Sequence, residues 1–594
     1  MSKLKRYNPI SVRISNLRTE LKTKKGALLS EVLIEAGFPL AAYCSGKGVC
    51  GKCLVRIISG PLPPPSDREA LLIKEKGLDG NSRLSCRCLL QDDIAIELPD
   101  ESLIQNIHPL ETAPEYTIRL HPDIQKYLLS LPDESTPARA LFQQTLEKEW
   151  GHLSFSPVVE LFSPDNEKSF TSTRTASVVI HDNELISLEP GDTTDRFYGI
   201  AFDIGTTTLV VQLLDLANGQ SLGTASALNA QVRFGADVIS RLSHVLREKD
   251  GGRELQQTVI ITLNTLIHSL CKQNGCSPST LYAAAAAGNT AMNHLFLNEP
   301  ISTLAVSPFE AGFLHHPSVK AHVIGLDIHP NAPIFIAPNI RSFVGGDVAA
   351  GLTVSGLLDL KGTHLYVDLG TNGEIVLKSG TDLAATSTAA GPAFEGTNIS
   401  SGSLALPGAV HRVEWEDDGL RIFTVGGEPA RSICGTGLID LLAVLLDRGL
   451  LLPDGRTADG TDIVLAPGLT VTRKDIRELQ LAVGAVRTGI RILLRSRSIS
   501  VSGIDSIHLA GAFGTHLNAS SAMAIGLLPE LDKTKITYLG NASLAGAGAL
   551  LLSSEVRKTM DERMTGVAFV SLADDPDFQD IFLDSMEFKS YRTF

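Results

Sequence analysis

The sequence predicts an α/β multidomain protein, and three observations carry this prediction. The chain of 594 residues is too long for one hydrophobic core, so we expect two to four domains. Near the N-terminus, closely spaced cysteines lie among short strand and helix patterns. From residue 197 onward the chain is rich in Gly, Ala and Thr, and it repeats one pattern, an apolar strand that ends in Asp and a Gly-Thr turn.

The first element is the cysteine segment. Cys44, Cys50 and Cys53 form a C-x5-C-x2-C run, and Cys86 stands alone further along. This spacing is typical of iron–sulfur ligands. A structural zinc site usually has two close pairs, and a disulfide framework belongs to short secreted chains, so both fit less well. We predict that these four cysteines hold an iron–sulfur cluster and that the protein transfers electrons.

The fourth ligand position has two candidates. Cys88 competes with Cys86, because strand alternation would place both side chains on the same face. The context of Cys86, Arg-Leu-Ser-Cys, resembles the fourth-ligand motif of ferredoxins, which favours Cys86. The x5 spacing resembles that of the adrenodoxin-like branch of 2Fe-2S proteins. We therefore expect a 2Fe-2S cluster with Cys86 as the fourth ligand.

Residues 1–98 are predicted to form one domain around this cluster. Strand patterns occupy 10–15, 53–58 and 93–98, and a helix pattern occupies 27–36. This order resembles the β-grasp ferredoxin fold, and a proline cluster at 61–65 marks a surface loop. The domains that follow are predicted to be a linker at 99–115, a small middle domain without a chemical motif at 116–196, and a large domain at 197–594.

The large domain contains a duplicated hairpin. Residues 202–208 read Phe-Asp-Ile-Gly-Thr-Thr-Thr, and residues 367–373 read Val-Asp-Leu-Gly-Thr-Asn-Gly. The tip of such a hairpin offers N–H groups and hydroxyls beside a carboxylate. One copy is weak evidence, because Asp and Gly are common turn residues. Two copies suggest duplicated lobes that close on a nucleotide, with Asp203 and Asp368 acting through water bound to Mg²⁺.

A third motif agrees with a nucleotide site. Residues 507–514 read Ile-His-Leu-Ala-Gly-Ala-Phe-Gly, a buried strand that ends in a glycine turn and allows close approach to an adenine. The three motifs resemble the phosphate-1, phosphate-2 and adenosine motifs of the actin, sugar kinase and heat-shock chaperone ATPase superfamily. This resemblance implies a two-lobed, actin-like (ribonuclease H-like) ATPase. The alternative is three unrelated glycine turns in an α/β domain.

A ferredoxin-like N-terminus on such an ATPase resembles the reductive activators of corrinoid proteins, found with corrinoid-dependent methyltransferases and O-demethylases. The likeness covers nearly the whole chain and includes segments 287–293, 344–347, 391–396, 433–440 and 509–514. It implies an enzyme that hydrolyses ATP and reduces cobalt from Co(II) to Co(I) in a corrinoid protein. A low-potential donor would supply the electron through the 2Fe-2S cluster, and the enzyme would be a homodimer.

The resemblance also assigns site residues. Asp203 and Asp368 would be catalytic and would orient Mg²⁺ and the attacking water. The residues that would hold the phosphates are Gly205, Thr206, Thr207, Gly370, Thr371 and Asn372. Those that would approach the nucleoside are Gly435, Gly437, Gly511 and Gly514. Asp347, Glu395 and Asp440 are weaker candidates, because an acid beside a glycine turn is more often a cap or a solvated surface group.

Three other functions remain open at this point. An activator of a radical dehydratase or aryl-CoA reductase couples a similar ATPase lobe to an iron–sulfur centre, but those activators share a cluster between subunits and lack an N-terminal ferredoxin unit. A redox-regulated small-molecule kinase would form a phosphorylated product and need no corrinoid partner. A nucleotide-gated adaptor with a structural cluster would show negligible turnover.

Composition excludes two classes of partner. The net charge of −14 argues against nucleic acid, since phosphate binding needs a basic face. No apolar run reaches the roughly eighteen residues that a membrane-spanning helix needs. The first residues are positively charged, but no apolar stretch follows, so we expect no secretory signal. The predicted location is the cytoplasm.

Overall fold

The structure is a computed structural model. It describes residues 9–36, 38, 40, 48, 51, 53–75, 78–99, 102, 119–130, 145–151, 154–155, 175–235, 237–396, 398–417 and 419–591.

The N-terminal unit is a five-stranded mixed sheet in the order β2-β1-β5-β3-β4. Its elements are β1 (Ile10–Ile14), β2 (Thr19–Thr23), α1 (Leu29–Glu35), β3 (Leu54–Ser59), α2 (Asp67–Glu75), β4 (Ser82–Leu84) and β5 (Ile94–Glu97). Val12, Leu29 and Val55 are fully buried between α1 and the sheet. The predicted strand and helix patterns are confirmed, and the proline cluster lies in residues 61–66, which have no regular structure.

A smaller sheet follows, in the order β6-β8-β9-β7. Its strands are β6 (Ile124–Ser130), β7 (Ser154–Phe155), β8 (Thr175–His181) and β9 (Glu184–Pro190). The Nζ atom of Lys126 lies 2.9 Å from Glu189 Oε2 and donates to the hydroxyl of Tyr282 in the next unit at 3.0 Å. Asp123 also pairs with Arg557. These buried polar contacts join the small sheet to the C-terminal half of the chain.

The C-terminal half contains two six-stranded sheets. The first consists of β10 (Tyr198–Ile204), β11 (Thr208–Asp215), β12 (Ser221–Leu228), β13 (Leu281–Gly288), β14 (Val319–Lys320) and β15 (Pro333–Ile336). The later strands are β16 (Thr363–Leu369), β17 (Gly373–Ser379), β18 (Asp382–Thr388), β19 (Ala409–Glu416), β20 (Gly419–Thr424), β21 (Ser432–Ile433), β22 (Ile463–Ala466), β23 (Leu469–Val471), β24 (Ser506–Ala510), β25 (Ile536–Tyr538) and β26 (Ala568–Phe569).

The two large sheets share the same order of five strands and differ in the position of the sixth, since β14 pairs with β15 in the first sheet and β26 pairs with β18 in the second. The first has the order β12-β11-β10-β13-β15-β14 and the second the order β25-β24-β16-β17-β18-β26, while β19 to β23 form two small separate sheets. In each large sheet an antiparallel three-stranded meander is followed by a parallel strand, β13 beside β10 and β24 beside β16. Asp203 and Asp368 occupy the same place near the end of β10 and β16. The predicted internal duplication is confirmed.

Helices form three layers around these sheets. In chain order they are α3 (Val238–Arg247), α4 (Gly251–Asn274), α5 (Thr290–Leu297), α6 (Ser302–Ala305), α7 (Ala321–Ile324), α8 (Gly346–Val354), α9 (Gly435–Asp447), α10 (Arg473–Ser496), α11 (Gly511–His516), α12 (Ala519–Ala524), α13 (Ala542–Leu552), α14 (Ser554–Thr565) and α15 (Phe578–Ser585). Helices α4 and α5 cover one face of the first sheet, and α9 and α10 cover one face of the second. Helices α8 and α13 lie between the two sheets.

Small residues bring the central helices together. A Cβ atom on Gly546 of α13 would lie 2.3 Å from the carbonyl oxygen of Ala350 in α8, so this contact requires glycine. The alanines of β13 alternate between the two faces of the first sheet, with Ala285 facing α8 and α13 and Ala284 facing α4. Within the described ranges, no helix is both long enough and apolar enough to cross a membrane.

Candidate functional site

Four carboxyl groups meet where the two large sheets face each other. Asp203 and Asp368 lie near the ends of β10 and β16, and Asp347 lies in the first turn of α8. Glu374 is directly opposite Asp368 in the β16–β17 pair. Asp203 and Asp368 were predicted from the sequence and Asp347 was a weaker candidate, whereas Glu374 was missed. The sequence could have identified Glu374, because the short turn after Asp368 determines which residue of the next strand lies opposite it.

Burial and mutual repulsion dominate the electrostatics of this acid cluster. Burial, followed by the charges of Asp347 and Asp203, raises the pKa of Asp368 to about 7. Burial, with the charge of Asp203, also raises the pKa of Asp347 to about 7. The pKa of Glu374 is well above its ordinary value for the same reasons. Oxygen-rich, unneutralised clusters of this kind are suited to a hard divalent cation such as Mg²⁺.

Asp203 is held by the opposite half of the chain. The side chain of Asn541 donates to its Oδ2 at 2.9 Å, and the hydroxyl of Ser543 donates to its Oδ1 at 2.8 Å. Both donors lie at the start of α13. Burial raises the pKa of Asp203, and these two hydrogen bonds act in the opposite direction. No local pattern in the sequence marks these partners, because they lie 338 and 340 residues away.

The hairpin tips differ from prediction in one respect. The amide of Gly205 donates to the carbonyl of Thr208 at 2.9 Å, and the amide of Gly370 donates to the carbonyl of Asn372 at 2.9 Å. These two amides were predicted to hold phosphates, but they close the turns instead. Over the described ranges, no acceptor takes the amides of the other tip residues, which are Thr206, Thr207, Thr371 and Asn372. Those amides are therefore the donors that an anion would meet.

Of the other weaker candidates, Glu395 lies at the second tip and Asp440 does not. The hydroxyl of Thr371 donates to Glu395 Oε1 at 2.8 Å, and burial raises the pKa of Glu395. Asp440 lies on α9, where its Oδ2 accepts the amide of Val413 at 3.4 Å. Thus Glu395 belongs with the second hairpin, whereas Asp440 links α9 to β19.

The four predicted nucleoside glycines serve different purposes in the structure. Gly511 has φ +80°, and a Cβ atom there would lie 2.6 Å from Asp368 Oδ1, so this glycine turn touches the acid cluster. Gly435 and Gly437 are packed on the chain itself, with Cβ positions 1.8 Å from the carbonyl oxygen of Phe394 and 2.2 Å from that of Val410. Gly514 has ordinary packing distances.

The cysteines separate into two environments. Cys53 precedes β3 and Cys86 lies in a 3-10 turn, Ser85–Arg87; both are buried and share a small cluster with Leu84. Cys88 lies in the main core of the N-terminal unit, where burial raises its pKa to about 12 and its Sγ donates to the carbonyl of Leu84. The expectation of strand alternation through Cys86 and Cys88 is wrong, because the 3-10 turn replaces the strand there. The other two predicted ligands, Cys44 and Cys50, lie outside the described residues.

The surroundings of Cys86 fit a cluster loop. Gly48 and Gly51 have φ +69° and +65°, and a Cβ atom on Gly48 would lie 2.4 Å from Arg87 Nε. Gly48 therefore packs closely on the turn that carries Cys86. A buried acid fixes this turn, since Glu69 accepts hydrogen bonds from the Arg83 side chain and from the Leu84 amide, each at 2.9 Å. Sequence reasoning missed this support.

Comparison with protein families agrees with this division of the chain. Residues 12–91 match the 2Fe-2S iron-sulfur cluster binding domain. Residues 198–359 match the RACo middle region, and residues 362–593 match the C-terminal domain of RACo, the ASKHA domain. The RACo middle region is thus the first of the two duplicated lobes, whereas the segment predicted as a middle domain, 116–196, precedes it.

Three proteins of known description are similar to this chain over 60% or more of its length. The corrinoid activation enzyme RamQ of Eubacterium limosum is 29% identical and covers 96% of this chain and 97% of its own. A Co(II) methylated amine-specific corrinoid protein reductase of Methanosarcina barkeri is 30% identical over 60% of this chain and 70% of its own. A solved structure, a reductive activator for corrinoid, iron-sulfur protein, is 31% identical, with TM-score 0.70 over 98% of both chains. The chain therefore belongs to the RACo family.

Proposed function

We propose that this protein uses ATP to drive the reductive activation of a corrinoid protein, returning its cobalt from Co(II) to Co(I). The observation that carries the proposal is the presence, on one chain, of a 2Fe-2S binding domain and of paired Asp hairpins that face each other across an acid cluster. Relatives of nearly the same length are described as a corrinoid activation enzyme and a reductive activator. A 2Fe-2S cluster accepts and passes on single electrons.

The chain's own residues would divide the work as follows. Cys44, Cys50, Cys53 and Cys86 would hold the cluster. Asp203, Asp347, Asp368 and Glu374 would hold Mg²⁺ with the nucleotide, and a bound Mg²⁺ would neutralise charge on the phosphates. Asp203 and Asp368 would also orient the attacking water. The backbone amides and hydroxyls of Thr206, Thr207, Thr371 and Asn372 would bind the phosphates, and the turn at Gly511 would lie beside the nucleoside.

Several finer assignments belong to the same proposal. The partner would be the corrinoid protein of a methyltransferase system, and a low-potential donor would supply the electron. The protein would work in the cytoplasm as a homodimer. The domain limits would be those read from the sequence: 1–98, a linker at 99–115, 116–196 and 197–594. Coupling between two sites is typically about 1–3 kcal/mol, which shifts a one-electron equilibrium by roughly 40–130 mV. A larger gap in potential would require hydrolysis of ATP or a change in cobalt ligation.

The test is an anaerobic optical assay. The protein is mixed with a Co(II) corrinoid protein and a reductant, and the Co(I) spectrum is recorded with and without MgATP. We expect Co(I) to form only when ATP is present. Equal formation of Co(I) without ATP would contradict the ATP-driven mechanism. Consumption of ATP while cobalt stays Co(II) across several partners would instead favour a kinase, and a phosphorylated product should then be sought.

We predict that the affinity for Mg²⁺ increases with pH. Because the pKa values of Asp347 and Asp368 are raised to about 7, protons compete with the metal below that pH. Each displaced proton changes the affinity by about tenfold per pH unit below the pKa, so the affinity should rise steeply between about pH 6 and pH 7 and level off above about pH 8. Calorimetric titration in two buffers of different ionisation enthalpy measures both the affinity and the protons released. An affinity that does not change between these pH values would contradict the proposed metal site.

A further inference from the structure

Three side chains donate hydrogen bonds to the first hairpin tip, residues 205–207. They are Asn229, Arg241 and Asn289, and none of them is acidic. Asn229 donates to the carbonyl of Gly205 at 2.9 Å, and Arg241 donates through Nη2 to the carbonyl of Thr206 at 2.5 Å. Asn289 donates to the hydroxyl of Thr206 at 2.9 Å. No acid takes part in this set of contacts. These three side chains therefore hold the tip through its acceptor atoms.

This arrangement orients the amides of the tip. In a trans peptide unit the C=O and the following N–H point in opposite directions. Asn229 and Arg241 bind the carbonyls of Gly205 and Thr206 and so fix the direction of each peptide unit. The amides of Thr206 and Thr207 belong to these two peptide units and therefore point away from Asn229 and Arg241. Successive amides that point the same way form an anion-binding nest. These are also amides for which no acceptor is found in the described part of the chain.

Arg241 itself is a buried cation without a carboxylate partner. It is fully buried, and it also donates to the carbonyl of Gly235 at 2.9 Å, to Gln231 Oε1 at 3.1 Å and to the sulfur of Met292 at 3.3 Å. Among the described residues, no carboxylate lies within 4 Å of it. The acid whose charge influences it is Asp237, which accepts from the amide and hydroxyl of Ser240 to cap α3. Burying an unpaired charge is costly, so an anion bound nearby would be favoured.

We propose that Arg241 is a positioning residue for the polyphosphate of the nucleotide: it fixes the Thr207 amide toward the phosphates through the Thr206 carbonyl, and its charge is neutralised by the bound anion. Asn229 orients the Thr206 amide in the same way, through the carbonyl of Gly205. This inference rests on the proposed function, because it assigns a role at the same nucleotide site. It extends that function to residues outside the hairpin and outside the acid cluster.

The chain offers a matched control. Arg487 on α10 is also a buried arginine that donates to backbone carbonyls, those of Glu587 at 3.2 Å and Lys589 at 2.8 Å. Its guanidinium lies over the ring of Tyr591 in the second lobe, and it makes no contact with either hairpin tip. Loss of Arg487 therefore tests what the removal of a buried arginine does to the fold alone.

The experiment measures the binding of ligands with different charges by calorimetry. MgATP, MgADP and adenosine are titrated into the full-length wild type and into the Arg241→Met, Arg241→Lys, Asn229→Ala and Arg487→Met variants. We expect Arg241→Met to weaken MgATP binding by about ten- to hundredfold, as for a lost hydrogen bond to a charged group. The loss should be smaller for MgADP and absent for adenosine. Arg241→Lys, which keeps the charge, should fall between the wild type and Arg241→Met.

The outcomes separate this inference from the proposed function. If the wild type does not bind MgATP, the proposed function fails and this inference fails with it. If the wild type binds and Arg241→Met binds equally well, only the inference is overturned. An equal loss for adenosine and MgATP would also overturn it, because that pattern indicates general damage to the site. Thermal denaturation checks each fold; if Arg241→Met does not fold, Arg241→Lys and Asn229→Ala decide by the same ligand series.

Discussion

The Asp368→Asn variant should lose ATP hydrolysis by about a hundredfold or more while its thermal stability stays equal or rises. The loss is expected because a carboxylate that holds Mg²⁺ and orients the attacking water contributes on this scale. Stability is expected to hold because Asp368 accepts no hydrogen bond from a described side chain and faces like charges on Asp347, Asp203 and Glu374. Removing its charge relieves this repulsion.

The measurement combines a steady-state phosphate-release assay with thermal denaturation of the same preparations. Asp382→Asn is the matched control, because Asp382 is exposed and lies in the same three-stranded meander, at the β17–β18 turn, which is at the opposite end of the strands from the β16–β17 tip. Asp382→Asn should keep wild-type turnover. If Asp368→Asn hydrolyses ATP at the wild-type rate, the catalytic role of this acid is wrong. If it unfolds at much lower temperature, Asp368 has a structural role that its contacts do not reveal.

Cys53→Ser and Cys86→Ser should each remove the visible absorption of a 2Fe-2S cluster and abolish formation of Co(I), with ATP hydrolysis retained. Both cysteines are buried in one small cluster beside the turn that carries Cys86. A serine hydroxyl is a poor substitute for a thiolate ligand of iron. Electron transfer should then fail although the nucleotide site is intact.

Cys88→Ala is the control for these two variants. Its thiol lies in the hydrophobic core and donates to a backbone carbonyl, so its loss should leave the cluster spectrum unchanged and lower stability by about 1 kcal/mol. Absorption spectra and iron content of anaerobically prepared proteins give the comparison. Loss of the cluster in Cys88→Ala with retention in Cys86→Ser would exchange the assignment of the fourth ligand.

Local patterns made much of the fold predictable. The strand–Asp–Gly-Thr pattern depends on residues adjacent in sequence, so both copies were recognised, and the two sheets that contain them share the order of five of their six strands. The run of alanines at 283–287 packs closely, because β13 is buried on both faces. The cysteine spacing, likewise local, agrees with a 2Fe-2S family over residues 12–91.

Contacts across the sequence were not predictable in the same way. Asn541 reaches Asp203 only because α13 returns to the first sheet, and Arg241 reaches Thr206 only because α3 folds back on the hairpin. Neither pair has a spacing or motif that marks it. The hydrogen bonds that the Gly205 and Gly370 amides make within their turns were not predictable for a related reason, since the direction of an N–H group depends on dihedral angles that residue identity does not determine.

The attachment of Asp203 to α13 also links the acid cluster to a helix that lies between the two large sheets. Asn541 and Ser543 donate to the two oxygens of Asp203, so a cation that took both oxygens would compete with these donors at the start of the helix. The rest of α13 is buried, and at Gly546 its backbone lies against that of Ala350 in α8. We therefore expect direct binding of a cation to Asp203 to alter the contact between the first sheet and the start of α13.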